Sequence, residues 1–377
     1  MFRRCTLVVV IVGSHLATDS SAQTEPLKGA NERPDNDPLP RHEERPLEAM
    51  PGVRTRYGSV VTSDGIRLRT LVSMPIAAKQ RLRPLLFTQW VSCGSVEYQA
   101  GSNAREILAR LARDSGLALV RVERAGTGDS QGPGCEVLGY NDEVRHYTEA
   151  FGKVLADEQL DSSHVYVYGS SLGSTTAPLV ALALQGRGFN IAGIAVQGGG
   201  ALTHHERMLH FDRIYLERRA DEVPRAEIHG EMNRRARFLS EYLIRARNPV
   251  ALAKSDPELK RAFSDTRGMD ENGHYGRPFR WHQEAAAQNF LAAWMQLEAP
   301  VLVIFNAFDQ FETRQGHRLI VEAVNAARPG TATWVEQAKL GHSSNAFPSI
   351  DAAYRGEGGK PAWQKTANVL VRWLRAR

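Results

Sequence analysis

Residues 165–178 read Val-Tyr-Val-Tyr-Gly-Ser-Ser-Leu-Gly-Ser-Thr-Thr-Ala-Pro, and this stretch decides the fold. Four β-formers, Val165 to Tyr168, run into Gly169-Ser170-Ser171-Leu172-Gly173, and a run of small and apolar residues of helical character follows. The pattern is Gly-x-Ser-x-Gly on a strand-to-helix turn. The turn is so tight that side chains at the two glycine positions would collide. Its central residue, Ser171, is expected in a strained backbone conformation with the hydroxyl exposed. The following helix would aim its positive N-terminus at that hydroxyl. Five residues can match by chance, so the flanking strand and helix carry the weight. The plainer alternative is an ordinary glycine-rich strand-to-helix turn. Ser170 cannot replace Ser171 as nucleophile without leaving the motif geometry.

Working outward, short apolar strands alternate with helical stretches. Residues 56–74 alternate around Ser63-Asp64-Gly65 and read as a hairpin. Strand-like runs follow at Pro84–Phe87, Leu117–Val122, Ile191–Val196 and Val301–Phe305, with a weaker one at Thr331–Val335. Helices are expected at Asn103–Ala112, at 141–157 with Asn141-Asp142 as cap and first-turn acid, and at Trp363–Leu374. This alternation predicts an α/β fold, a mostly parallel central sheet with helices on both faces. It breaks once: residues 200–283 carry no strand signal and read as an inserted helical cap. The core is then 51–199 and 284–377. No internal repeat is visible.

A serine hydroxyl needs a base, and the base needs an orienting carboxylate. Asp309 lies just beyond the run Val301–Phe305, where an acid can reach the edge of the sheet. Glu312 is the runner-up, though its position suits the start of the next helix. His342 follows the last strand-like run, 33 residues past Asp309. Histidine is common here, with 12 in the chain. His317 falls inside a helix, and His204, His205, His210 and His229 fall in the insertion; a solvent-facing or packing role suits these.

Composition removes other classes. Of 377 residues, 42% are hydrophobic and 24% charged, which excludes wholesale disorder and a polytopic membrane protein. The formal charge of +5 is spread over 47 basic and 42 acidic residues, too diffuse to suggest a nucleic-acid partner. Three cysteines, Cys5, Cys93 and Cys135, exclude a disulfide-stapled scaffold and a four-cysteine zinc site. No metal is implied, because His-Glu-x-x-His and comparable clusters do not occur. The glycine-rich stretch 126–134 has no P-loop lysine, so no cofactor is implied either.

The N-terminus has the shape of a secretory signal. Met1-Phe-Arg-Arg is followed by an apolar run from Thr6 to Val12, then Ser20-Ser21-Ala22 before Gln23. That run is far short of the roughly 20 residues that span a bilayer, so stable membrane insertion is not expected after its removal. Cutting after residue 22 leaves 355 of 377 residues, removes two arginines and Asp19, and takes the charge from +5 to +4. Cys5 leaves with it and is not placed as in a lipid-attachment box. Residues 23–50, rich in proline and alternating charge, read as a flexible leader. The chain is therefore expected to be exported, to the periplasm or the medium.

With the motif, the acid and the histidine in this order, residues 55–377 resemble an α/β-hydrolase. Gly126-Thr-Gly-Asp-Ser130 is similar to that family's loop after the fourth strand. Gln89-Trp90-x-Ser92-Cys93 and Tyr275-Gly276-Arg277-Pro278 are similar to segments of bacterial members of generic esterase or peptidase type. The resemblance implies a nucleophile Ser171, a base His342 and an orienting Asp309. It implies an oxyanion hole with one donor at the amide of Leu172. The second comes from the loop after the strand at 85–90, where many relatives carry His-Gly and this chain has Gln89-Trp90. Val91 matches that donor by position, with Trp90 as the alternative. Each donor would stabilise a tetrahedral intermediate by about 3 kcal/mol.

Three functions then stand: an esterase for small or medium carboxylic esters, a serine aminopeptidase or amidase for short peptides, and a non-catalytic binding protein on the same fold. The complete Ser, Asp, His order disfavours the third. Between His204 and Arg247 lie ten arginines and eight acidic residues, expected as a solvated face of paired charges unless one or two arginines enter the pocket. Trp281 and Trp294 can line a pocket or pack, and packing is the more ordinary role. Cys93 lies in the oxyanion loop, and Cys135 closes the loop after the next strand. An oxidising compartment would permit a Cys93–Cys135 disulfide, with two buried thiols as the alternative.

Overall fold

The computed structural model describes residues 39, 40, 42, 47–157, 159–218 and 224–377. The expected signal segment lies outside the described residues, as does most of the expected leader. The first half of the chain runs β1 (Val53–Val61), β2 (Arg67–Pro75), β3 (Pro84–Thr88), α1 (Asn103–Asp114), β4 (Ala118–Val122), α2 (Tyr140–Leu155), β5 (Val165–Ser170), α3 (Gly173–Gln185) and β6 (Ile191–Gln197). A helical stretch follows: α4 (His204–Arg218), α5 (Arg225–Leu239), a π-helical turn (Ser240–Ile244), α6 (Pro249–Ser255), α7 (Pro257–Asp265), α8 (Phe279–Ala286) and α9 (Phe290–Gln296). The chain closes with β7 (Val301–Asn306), α10 (Arg314–Ala327), β8 (Ala332–Gln337), β9 (Asn345–Ala346), α11 (Ile350–Arg355), β10 (Lys360–Pro361) and α12 (Trp363–Arg375).

Eight strands form one sheet in the order β1-β2-β4-β3-β5-β6-β7-β8. The β1–β2 hairpin and the β2–β4 pair are antiparallel; every later pair is parallel. Strands β3, β4 and β7 are buried along their whole length, as a sheet covered on both faces requires. Alternation in β5 shows the two layers. Val165 and Val167 pack with Phe151 of α2, Val180 and Leu184 of α3 and Ile320 of α10. Tyr166 and Tyr168 face the other way, onto Leu108 and Leu111 of α1 and Leu370 of α12. Each fully buried aliphatic chain of this kind contributes about 1.5–3 kcal/mol.

The sheet puts the C-terminal ends of β3, β5, β6, β7 and β8 along one edge, and the loops leaving them build the site. The helical stretch is inserted between β6 and β7, and it holds its own apolar cluster around Phe238, Leu239, Tyr242 and Leu252. The expected border at residues 283–284 falls inside α8.

Two expectations are corrected. The cap of α2 is Gly139, not Asn141, because the Asp142 carboxylate reaches back to accept from the Gly139 amide at 3.2 Å. The end of the expected leader is packed rather than free. Met50 is buried in the core, and Glu48 accepts from Arg121 Nη1 at 2.6 Å, both side chains buried. The guanidinium of Arg121 sits inside β4, where a carboxylate must come from elsewhere to neutralise it.

Candidate active site

Ser171 follows the last residue of β5 and has φ +53°, the left-handed region that a serine enters at a cost of about 1–3 kcal/mol. Its surroundings hold it there. Its amide donates to Gln197 O at 2.7 Å, and its carbonyl accepts from the Ser174 amide at 2.8 Å. Both motif glycines are required by close approach. A Cβ on Gly169 would lie 2.5 Å from Gly173 O, and one on Gly173 would lie 2.0 Å from Thr88 O.

His342 Nε2 lies 2.8 Å from Ser171 Oγ, and its Nδ1 lies 2.9 and 2.8 Å from the two carboxylate oxygens of Asp309. A carboxylate only accepts, so Nδ1 carries the hydrogen and Nε2 is left to accept from the serine hydroxyl. Asp309 is buried just past β7, and its Oδ1 also accepts the amides of Phe311 and Glu312, each at 2.9 Å. Burial alone would raise its pKa. The His342 charge and these hydrogen bonds outweigh burial and hold it below the usual carboxylate range. For His342 burial would lower the pKa, and the carboxylates of Asp309 and Glu312 reverse that, leaving it raised. Ser171, Asp309 and His342 are thus assembled from the ends of three strands.

The histidine loop has supports that the sequence reading missed. Gln197 donates to His342 O at 3.0 Å, Gln310 accepts from the His342 amide at 3.0 Å, and Asn306 donates to Gly341 O at 2.8 Å. Single amides carry no motif, so nothing in the chain marks them. Glu312 does not reach His342 as an orienter. Its carboxylate pairs with Arg207 of α4, and burial pushes its pKa up to about 7, against the pull of Arg207.

A cavity of about 620 Å³ opens over Ser171 and His342. Aromatic and aliphatic groups dominate its wall, among them Trp90, Leu108, Tyr168, Met208 and Phe311. From the inserted helices Arg207, His204 and His282 reach it as well. The two histidines contact each other at 3.0 Å, and burial pushes both well below 6.5, so they stand neutral at pH 7. Most other arginines of the insertion are spent on its own acids, such as Arg235 on Asp212 and Arg247 on Glu241. Trp281 lines the cavity and donates to Glu143 at 3.1 Å, whereas Trp294 packs in the core. His317 is buried against Phe305, and His229 is exposed.

The loop after β3 is held through its carbonyls. Arg124 donates to the oxygens of Gln89, Trp90 and Ser92 at 3.0, 2.6 and 2.7 Å, and Arg277 Nε donates to Val91 O at 2.9 Å. Both guanidiniums are buried, and both pair with Glu143, at 2.7 and 3.1 Å. Cys93 and Cys135 are bonded, which ties this loop to the one after β4. Among the described residues, the amide of Leu172 makes no hydrogen bond to the protein. Also among the described residues, no group of three or more His, Cys, Asp or Glu side chains could hold a metal ion. No described helix is long and apolar enough to cross a membrane.

Comparison with known proteins places this architecture. Residues 92–353 match the alpha/beta hydrolase family. No curated protein matches the chain. Among solved structures, the chain is similar to a mutant of the esterase rPPE, with TM-score 0.50, 15% identity, and coverage of 87% of this chain and 84% of that one. It is similar to an esterase from Pyrococcus furiosus, with TM-score 0.49, 11% identity, and coverage of 90% and 97%. The hyperthermophilic esterase from the archaeon Pyrobaculum calidifontis gives TM-score 0.48, 15% identity, and coverage of 90% and 85%. At 15% identity the likeness to rPPE is one of fold alone.

Proposed function

This chain belongs to the alpha/beta hydrolase family, and we propose that it is a serine esterase that hydrolyses carboxylic esters through an acyl-enzyme on Ser171. The observation that carries the reading is the run of contacts from Asp309 through His342 to Ser171 Oγ, ending in a hydrogen bond of 2.8 Å at the mouth of a largely apolar cavity. Ser171 Oγ attacks the acyl carbon while His342 Nε2 takes its proton. The oxyanion that forms accepts from the amides of Leu172 and Val91. Collapse expels the alcohol, which His342 protonates. Water then attacks the acyl-enzyme with His342 again as base, releasing the acid and restoring Ser171. Asp309 keeps the imidazole in the right tautomer and stabilises its positive charge.

An ester is favoured over a short peptide by the state of Glu312. An aminopeptidase needs a free carboxylate to hold the substrate ammonium, and Glu312, the acid that faces this cavity among the described residues, is already paired with Arg207. The reading includes export, with residues 1–22 as signal; the Cys93–Cys135 bond supports it, because such bonds persist in oxidising compartments.

The test is hydrolysis of p-nitrophenyl esters against aminoacyl anilides, with Ser171→Ala beside the wild type. Ester turnover and fluorophosphonate labelling are expected in the wild type and absent from the variant. Labelling that survives Ser171→Ala would remove Ser171 from the mechanism.

A further inference from the structure

In a trans peptide the carbonyl of one residue and the N–H of the next point in opposite directions, so pinning the first aims the second. The described chain contains no cis peptide. Four consecutive carbonyls, from Gln89 to Ser92, are each held by a guanidinium. Gln89 O on Arg124 therefore turns the Trp90 amide away from Arg124. Trp90 O on Arg124 does the same for the Val91 amide, and Val91 O on Arg277 for the amide of Ser92. Trp90 and Val91 line the cavity and neither Arg124 nor Arg277 does, so the arginines hold the loop from the side away from it.

We infer that Arg124 and Arg277, bridged by Glu143, are the positioning residues of the oxyanion hole. Arg124 aims the Val91 amide by gripping the carbonyl behind it, and Arg277 fixes the same residue from its other side by gripping Val91 O. The inference rests on the serine esterase reading above.

Three features argue for this role over mere packing. The two arginines and Glu143 are almost wholly buried, so the polar contacts are made without competition from water. One carboxylate serves both guanidiniums, which ties the segment just after β4, α2 and the insertion to one loop. The third feature is the origin of Arg277. It lies in the inserted region, after Tyr275 and Gly276, which both have positive φ, +52° and +71°. That local reversal carries Arg277 back toward Val91, and Tyr275 itself lines the cavity. The inserted helices thus supply part of the clamp on the core's oxyanion loop. Docking of the insertion becomes a condition for an aimed amide, and the Tyr-Gly-Arg-Pro stretch gains a physical reason.

The experiment compares full-length wild type, Arg277→Lys and Arg277→Met. For each it measures kcat and KM on p-nitrophenyl butyrate, the inhibition constant of a phenylboronic acid, and the melting temperature. The boronate adds Ser171 Oγ and places an oxygen where the oxyanion would sit. Arg277→Met is expected to lower kcat by roughly 10- to 100-fold with KM within about twofold, and to weaken boronate binding by a similar factor. Arg277→Lys, which keeps the charge but not the two-sided reach, should fall between. If Arg277→Met does not fold, the Lys variant must still show the loss in kcat and boronate affinity at unchanged KM. Folded variants with wild-type kcat, or a rise in KM alone with boronate affinity intact, overturn the inference and leave the esterase reading standing. A wild type that neither turns over ester nor labels overturns both.

Discussion

Arg207, on α4 of the insertion, pairs with the carboxylate of Glu312, three residues beyond Asp309. The pair is built into the wall of the cavity, and it bears on the base. Glu312 is one of the two carboxylates that hold the His342 pKa above its ordinary value.

Hydrolysis requires neutral His342, so kcat/KM should rise with pH through an inflection above the usual imidazole value of about 6.5. In Glu312→Gln one supporting negative charge is gone, and Arg207, which opposes protonation of His342, is no longer neutralised. Both changes favour the neutral ring, so the inflection should move to lower pH. The same variant leaves a mostly buried guanidinium unpaired and should lose about 2–3 kcal/mol of stability. The pH–rate profile decides; an unmoved inflection would show that Glu312 does not act on His342.

Asp309→Asn keeps the shape of the site but puts an N–H donor where only acceptors stood, so hydrogen is no longer held on Nδ1. The imidazole can then present the wrong tautomer to Ser171. A loss of roughly 10³- to 10⁴-fold in kcat is expected, with KM little changed, as for the same exchange in the serine protease triad. Steady-state kinetics on one ester suffice to check it.

The Cys93–Cys135 bond spans a sequence separation of 42 residues. Closing a loop of that size in the unfolded chain is worth about 4 kcal/mol on the chain-entropy account, and measured values commonly fall lower. Cys93→Ser should therefore lower stability by about 2–4 kcal/mol in denaturant melts. Thiol titration of the unfolded mature protein should detect none before reduction and two after it.

Export makes a sharper prediction. Secreted material should begin at Gln23, read by N-terminal sequencing or intact mass. Retention in the cytoplasm of a chain that still begins at Met1 would remove that proposal.

The parts of this fold that are legible in the chain are those set by neighbours in sequence. The alternation of apolar strands and amphipathic helices comes from which side chains can be buried at period 2 and period 3.6. The tight turn around Ser171 comes from two glycines whose missing Cβ atoms let strand and helix touch. The order of Ser171, Asp309 and His342 along the chain could be read for the same reason: each follows a strand, and a parallel sheet sends all such ends to one edge. The helix cap at Gly139 and the packed segment at Glu48 and Met50 could not. Each depends on a partner chosen by packing, Asp142 reaching back in one case and Arg121 inside β4 in the other.

The nucleophilic motif, the sheet and the candidate acid and base were thus determined by sequence alone, because they rest on local sterics and periodic burial. Tertiary structure alone decided which of the many arginines and acids meet around the site. Arg207, Arg124 and Glu143 look like any other charged residues in the chain, and the patterns that mark Glu312 and Arg277 do not say which charge each one meets. Their pairing follows from desolvation: a charge closed off from water must find the opposite charge that the fold brings to it, and only the folded chain says which one that is.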